Sequence, residues 1–212
     1  MPELPDLEII REVLTRRIVG QRIEEAEIVR PLVVRPLDPT VAPEAFLTGQ
    51  TIEAVARRGK FLLLALSDGG QVAINLMLAG RLRYCPRQER GRVRDYVLLH
   101  LSNGWDVRYH DPMGMGKIYL TRDLNLIPGY AEMGPDALDP ELTLERFTEL
   151  LKPHRGEIKG ILTRGQVAAG IGNAYSDEIL FRAGIYPFRK RTSLSRDEVA
   201  TLYQAMRDVL SE

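Results

Sequence analysis

The hydrophobic period changes twice along this chain, and those changes limit what it can fold into. Leu7, Ile10, Leu14 and Ile18 recur at helical spacing behind Pro5, Asp6 and Glu8, which suit a first helical turn, and Gly20 follows as a stop. Strand-like runs then occupy 22–29, 51–57, 61–66, 71–78, 95–101, 105–110 and 117–121, several joined by turn signals such as Ser67-Asp68-Gly69-Gly70 and Ser102-Asn103-Gly104. Many short hairpin-linked strands point to a two-layer antiparallel sandwich or a barrel. From about Leu124 to Pro140 the breakers Pro128-Gly129, Gly134-Pro135 and Asp139-Pro140 make a loop, and a domain boundary is placed at 130/131. Beyond it the period is helical again, over 143–152, 157–164, 173–183 and 195–211, with Ser195 and Glu198 spaced as a capping box.

Composition narrows the class. Of 212 residues, 44% are hydrophobic and 27% charged, enough for one large or two small folded domains. No apolar stretch approaches the ~20 residues of a membrane span. The start lacks the basic n-region and apolar run of a signal peptide, so a cytoplasmic protein with no membrane partner is expected. Cys85 is the only cysteine, which excludes an internal disulfide and a cysteine-rich zinc site. Net charge is zero, yet six arginines lie between Arg81 and Arg94 against the single acid Glu89. That run reads equally as a solvated loop or as a local basic surface that can bind a polyanion.

Three separated stretches carry chemistry. The chain opens Met-Pro-Glu-Leu-Pro-Asp-Leu-Glu, and removal of Met1 leaves Pro2 as a secondary amine. An α-amino group titrates near ~7.7–8.0, so part of it is nucleophilic at neutral pH. Arg57-Arg58-Gly59-Lys60-Phe61-Leu62-Leu63-Leu64 sets a lysine on a hairpin at the edge of an apolar strand. Gly170-Ile171-Gly172-Asn173-Ala174-Tyr175-Ser176-Asp177-Glu178 places a glycine turn before a helix. Taken singly, each has a bland reading: a chain-end proline, a solvated lysine, an Asn-capped turn.

Together, in this order, they resemble the formamidopyrimidine-DNA glycosylase / endonuclease VIII family of base-excision repair enzymes. The Met133-Gly134-Pro135-Asp136-Ala137-Leu138 connector and Ser193-Leu194-Ser195 add to the likeness, which covers nearly the whole chain. The resemblance implies an α+β fold. An N-terminal helix plus a two-layer antiparallel β-sandwich forms a catalytic domain over 1–130, and an all-helical helix-two-turns-helix domain that binds DNA covers 131–212. It implies that Pro2 attacks C1′ of a damaged nucleotide and forms an iminium, cationic without a proton. That electron sink then drives β- and δ-elimination. Glu3 matches the family's proton-transferring acid, and Asp6 stands where the family usually has a helper glutamate in the catalytic set, keeping its charge on a shorter side chain. Lys60 matches a lysine that contacts a phosphate beside the lesion. Lys159, Gly172, Asn173 and Tyr175 fall in the phosphate-gripping module, where N–H groups at the helix start and the Asn amide are expected to act.

The departures are specific. Family members fill the space left by an extruded base with a methionine and an Arg-Arg-Phe-Gly block. Here Leu78, within Asn75-Leu76-Met77-Leu78-Ala79-Gly80, and Met113 and Met115, within Asp111-Pro112-Met113-Gly114-Met115-Gly116, take those places. Apolar wedges can unstack bases but cannot hydrogen-bond an orphaned one, so weak discrimination of the opposite base is expected. Relatives often continue into an element holding structural zinc on four cysteines. No metal site or cofactor is expected in this chain, which stops inside its last amphipathic pattern as a truncated one would. The expected partner is damaged DNA, duplex or single-stranded, bound by a monomer at the nucleoid. The alternative is a non-catalytic, damage-sensing DNA-binding homologue. A proline-based tautomerase fits least, because those subunits are shorter and lack the helical module.

Overall fold

A computed structural model describes all residues, Met1–Glu212. The chain forms two compact units. The first gathers 1–2, 7–57 and 61–131, and the second gathers 3–6, 58–60 and 132–212.

In the first unit helix α1 (Leu4–Ile18) is followed by β1 (Ile23–Ile28), β2 (Val34–Pro36), the short helix α2 (Pro43–Leu47), β3 (Ile52–Arg58), β4 (Phe61–Leu66), β5 (Gln71–Asn75), β6 (Arg81–Pro86), β7 (Asp95–Leu101), β8 (Trp105–His110) and β9 (Lys117–Thr121). Two sheets result, one in the order β1-β7-β8-β6 and one in the order β2-β9-β5-β4-β3. Their facing side chains share a core: Ile23, Val97, Leu99 and Val107 from the first sheet meet Leu62, Leu64, Ile74 and Leu120 from the second, together with Leu14 and Ile18 of α1. This is the expected sandwich: β1 and β3 keep exposed positions between their buried ones, while β4, β7, β8 and β9 are buried along most of their length.

Three local features differ from the expectations. The sandwich is not wholly antiparallel, because β2 runs parallel to β9 with Val34 opposite Ile118. The arginine-rich stretch begins as a strand: β6 pairs with β8, turning Leu82 and Tyr84 toward the core and the arginines outward. The strand expected over 71–78 stops at Asn75, whose Oδ1 accepts the Met77 N–H at 3.0 Å and turns the chain.

In the second unit α3 (Leu144–Leu151), α4 (Ile158–Thr163), α5 (Asn173–Arg182) and α6 (Arg196–Ser211) surround a core that includes Phe147, Ile161, Leu162, Ile179, Leu180, Leu202 and Met206. Leu4, from the first turn of α1, belongs to this core. The capping box forms as expected: the Ser195 hydroxyl accepts the Glu198 N–H at 3.2 Å, and Glu198 accepts the Ser195 N–H at 2.8 Å. Arg189 adds a two-pronged ion pair to the same carboxylate, which pushes the Glu198 pKa down to about 2. No helix is long and apolar enough to cross a membrane.

Candidate active site

Glu3 is the centre of the second unit's polar chemistry. Its side chain is buried, with 3% exposure, and its carboxylate is held by backbone alone. Oε2 accepts the N–H groups of Gly172 at 2.7 Å and Tyr175 at 3.1 Å, and Oε1 accepts that of Ala174 at 3.0 Å. These are donors that a helix start leaves unpaired, so Glu3 acts as a distant cap on α5, where positive dipole and negative charge meet.

The glycines are required by this arrangement. A Cβ on Gly172 would fall onto the Glu3 carboxylate, and one on Gly170, which has φ +107°, would press into the Leu4 side chain at 2.8 Å. The Leu4 N–H also donates to the Gly170 carbonyl at 3.1 Å. Asp6 reaches back along its own helix and accepts the Glu3 N–H at 3.0 Å. That bond makes it a capping group for α1.

Lys60 follows Gly59, which has φ +56° and packs against Met133 and Ala169. The Gly59 N–H donates to Asp136 Oδ2 at 3.2 Å, and the Arg58 guanidinium to the Met133 carbonyl at 3.4 Å. The connector at 133–138 therefore anchors the lysine hairpin, a role that the sequence reading did not assign to Asp136. Burial lowers the pKa of the half-buried Lys60 ammonium, and the Glu3 charge opposes that shift. The lysine and the acid thus sense one another electrostatically.

Two further expectations change in detail. The N–H groups of Gly172, Ala174 and Tyr175 serve Glu3, which leaves the exposed Asn173 as the group at this helix start turned to solvent. Lys159 is half-buried and ion-paired, with Nζ 2.7 Å from Asp177 Oδ1. The Tyr175 phenol is pushed up in pKa by burial and by the nearby charges of Asp6, Glu3 and Glu178.

The remaining site residues lie in the first unit. Pro2 is half-buried. Leu78, Met113 and Met115 are 52%, 57% and 41% exposed, so none of them belongs to a hydrophobic core. Gly114, standing where an arginine is usual, has φ +64°, and a Cβ there would approach the Tyr96 hydroxyl at 2.8 Å. A side chain at that position would be strained by the left-handed backbone and crowded against Tyr96 and Leu32. No group of three or more His, Cys, Asp or Glu side chains is arranged to hold a metal ion. With one cysteine, the residues present cannot supply a four-thiolate zinc site.

Known proteins match the chain in sequence and in fold. Residues 1–118 match the formamidopyrimidine-DNA glycosylase N-terminal domain, and residues 133–212 match the formamidopyrimidine-DNA glycosylase H2TH domain. The chain belongs to the formamidopyrimidine-DNA glycosylase family. The glycosylase of Pelotomaculum thermopropionicum is 37% identical over 214 residues, covering 100% of this chain and 77% of the relative. Among solved structures, the MutM (Fpg) protein of Thermus thermophilus superposes with a TM-score of 0.88 at 33% identity, over 99% of this chain and 75% of that one. A Lactococcus lactis Fpg bound non-covalently to DNA containing an AP site gives 0.90 at 27% identity, over 99% of this chain and 80% of that one. The glycosylase fold is therefore shared from the first helix to the last.

Proposed function

We infer that this protein is a bifunctional DNA glycosylase and AP lyase that excises oxidised bases. Once Met1 is removed, the Pro2 nitrogen attacks C1′ and the glycosidic bond breaks, the base leaving with a proton. The resulting iminium loses the 2′ proton and the 3′ C–O bond breaks, then a second elimination releases the 5′ phosphate. Glu3 protonates the opening sugar and carries protons between these steps. Lys60 offers its ammonium to a flanking phosphate. Residues 1–130 act as the catalytic domain and 131–212 as the DNA-holding domain, with Asn173 and Lys159 on phosphates and Tyr175 beside them. Leu78, Met113 and Met115 are apolar prongs for the gap left by an extruded base, and bring no hydrogen-bond donors to the base opposite. The working form is a monomer acting on damaged DNA in the cytoplasm.

The observation that carries this reading is the Glu3 clamp. A carboxylate buried to 3% exposure and fixed by three N–H donors, one residue after Pro2 in the chain, supplies an acid together with an amine nucleophile, a pairing that capping α5 alone does not call for. Borohydride trapping on an abasic duplex tests it. The Met1-free protein should give a covalent adduct that Pro2→Gly loses. A correctly folded, Met1-free protein that forms no adduct is a DNA-binding homologue and no enzyme.

A further inference from the structure

Two turns of the first unit present the exposed apolar side chains, and one buried phenol lies beneath both. Tyr109 is 2% exposed and Asp111 fully buried. The Tyr109 hydroxyl donates to Asp111 Oδ2 at 3.3 Å. The same carboxylate organises the 111–116 turn, accepting the Met113 N–H on Oδ1 at 3.0 Å and the Gly116 N–H on Oδ2 at 2.8 Å. A Cβ added at Gly116 would fall onto the Tyr109 hydroxyl.

The 76–80 turn meets that same oxygen from its own side. A Cβ added at Gly80 would also fall onto the Tyr109 hydroxyl. This turn is tightly wound: Met77 has φ +50°, and the Gly80 N–H donates to the Leu76 carbonyl at 2.9 Å. Two backbones in contact with one buried oxygen cannot shift independently, because a close-packed interior transmits displacement instead of absorbing it. Burial and the Asp111 charge raise the phenol's pKa, which keeps the hydroxyl a donor at every working pH.

We propose that Tyr109, braced by Asp111, is a positioning residue that couples the 76–80 and 111–116 turns, setting Leu78, Met113 and Met115 as one apolar edge. Its consequence for catalysis rests on the function proposed above, in which that edge replaces an extruded base. The coupling itself does not.

Backbone hydrogen exchange reads the coupling without any chemistry. Gly116→Ala should speed exchange in its own turn and also across 76–80, and Tyr109→Phe, which deletes one atom, should speed both. An effect of Gly116→Ala confined to 111–116, with 76–80 unchanged in Tyr109→Phe, overturns the proposal. The catalytic arm is a double-substitution cycle on duplex excision. With Tyr109 in place, Leu78→Ala plus Met115→Ala should be about as slow as the slower single variant, because either loss breaks the shared edge. In the Tyr109→Phe background the two fold-changes should multiply. Multiplication in both backgrounds contradicts the coupling. A wild-type protein that forms no trapped adduct refutes the enzymatic reading and leaves the exchange result to decide the coupling.

Discussion

Gly172 donates its N–H to Glu3 Oε2 at 2.7 Å, and any side chain at 172 would occupy the space of that carboxylate. The pair therefore makes one prediction that alanine at most glycines would not. Gly172→Ala should expel Glu3 from its three donors, costing about 1–3 kcal/mol by overpacking. Base excision should fall by about 10²-fold or more, the scale of a displaced proton-transfer group. Thermal unfolding and single-turnover excision check the two halves separately, and wild-type kinetics in the variant would break the link between the clamp and the chemistry.

Lys60 yields a second. Lys60→Ala should weaken DNA binding and slow turnover together, by about 10²-fold in rate if the ammonium stabilises developing phosphate charge. Its pKa adds a sign. Burial lowers it and the Glu3 charge raises it, so Glu3→Gln takes away the opposing charge and lowers it further. In a binding titration against pH, the alkaline loss of DNA affinity should move to lower pH in Glu3→Gln. A shift the other way would mean that Lys60 does not sense Glu3.

The parts legible in the sequence were those whose signal is local. Helical periodicity and the Ser195–Glu198 box placed α3 to α6 within a residue or two, because each helix buries a stripe that its own spacing declares. Strand β6 was hidden because its outward positions are arginines, although Leu82 and Tyr84 alternate correctly. β2 has three residues and exists only because β9 pairs with it, so nothing local announces it. The site divides the same way. The residue types in Pro2, Glu3, Lys60 and Gly170–Asn173 were readable through the family pattern. The Glu3 to Gly172 bond spans 169 positions, and Asp136 reaches Gly59 across 77, separations at which no spacing rule operates. The capture of three helix-start donors by Glu3, which withdraws them from phosphate, could come only from coordinates.

Lys159 carries a third prediction, and its direction is a gain. Its ammonium is 2.7 Å from Asp177 on the neighbouring helix, so a phosphate must compete with a carboxylate for it. Asp177→Asn removes that competitor. DNA affinity should rise at low salt, and the slope of log K against log salt should steepen by up to about 0.9, the value of one added phosphate contact on duplex DNA. An unchanged slope would place Lys159 outside the DNA interface.

The last prediction concerns stability away from the site. On the four-stranded sheet His100 is 8% exposed, with Nδ1 2.7 Å from Asp106 Oδ1 and Nε2 3.1 Å from Glu27 Oε1. Asp106 is itself fully buried and takes the Arg108 guanidinium at 2.7 Å. Burial alone would lower the imidazole's pKa, but the hydrogen bonds and charges of Asp106 and Glu27 outweigh it, and the net shift is upward. A raised pKa in the folded state means that folding takes up a proton when the unfolded histidine, near ~6.5, has already lost it. This contribution is fully present below that value and is lost as pH rises through the higher folded pKa. Unfolding midpoints in denaturant, measured from pH 5.5 to 9, should therefore fall on the alkaline side. His100→Gln, which keeps a donor but cannot titrate, should flatten that fall while lowering the midpoint at acidic pH. A wild-type profile that rises through this window, or a variant that declines as steeply, would show that the imidazole is not held in its charged form by its two carboxylates.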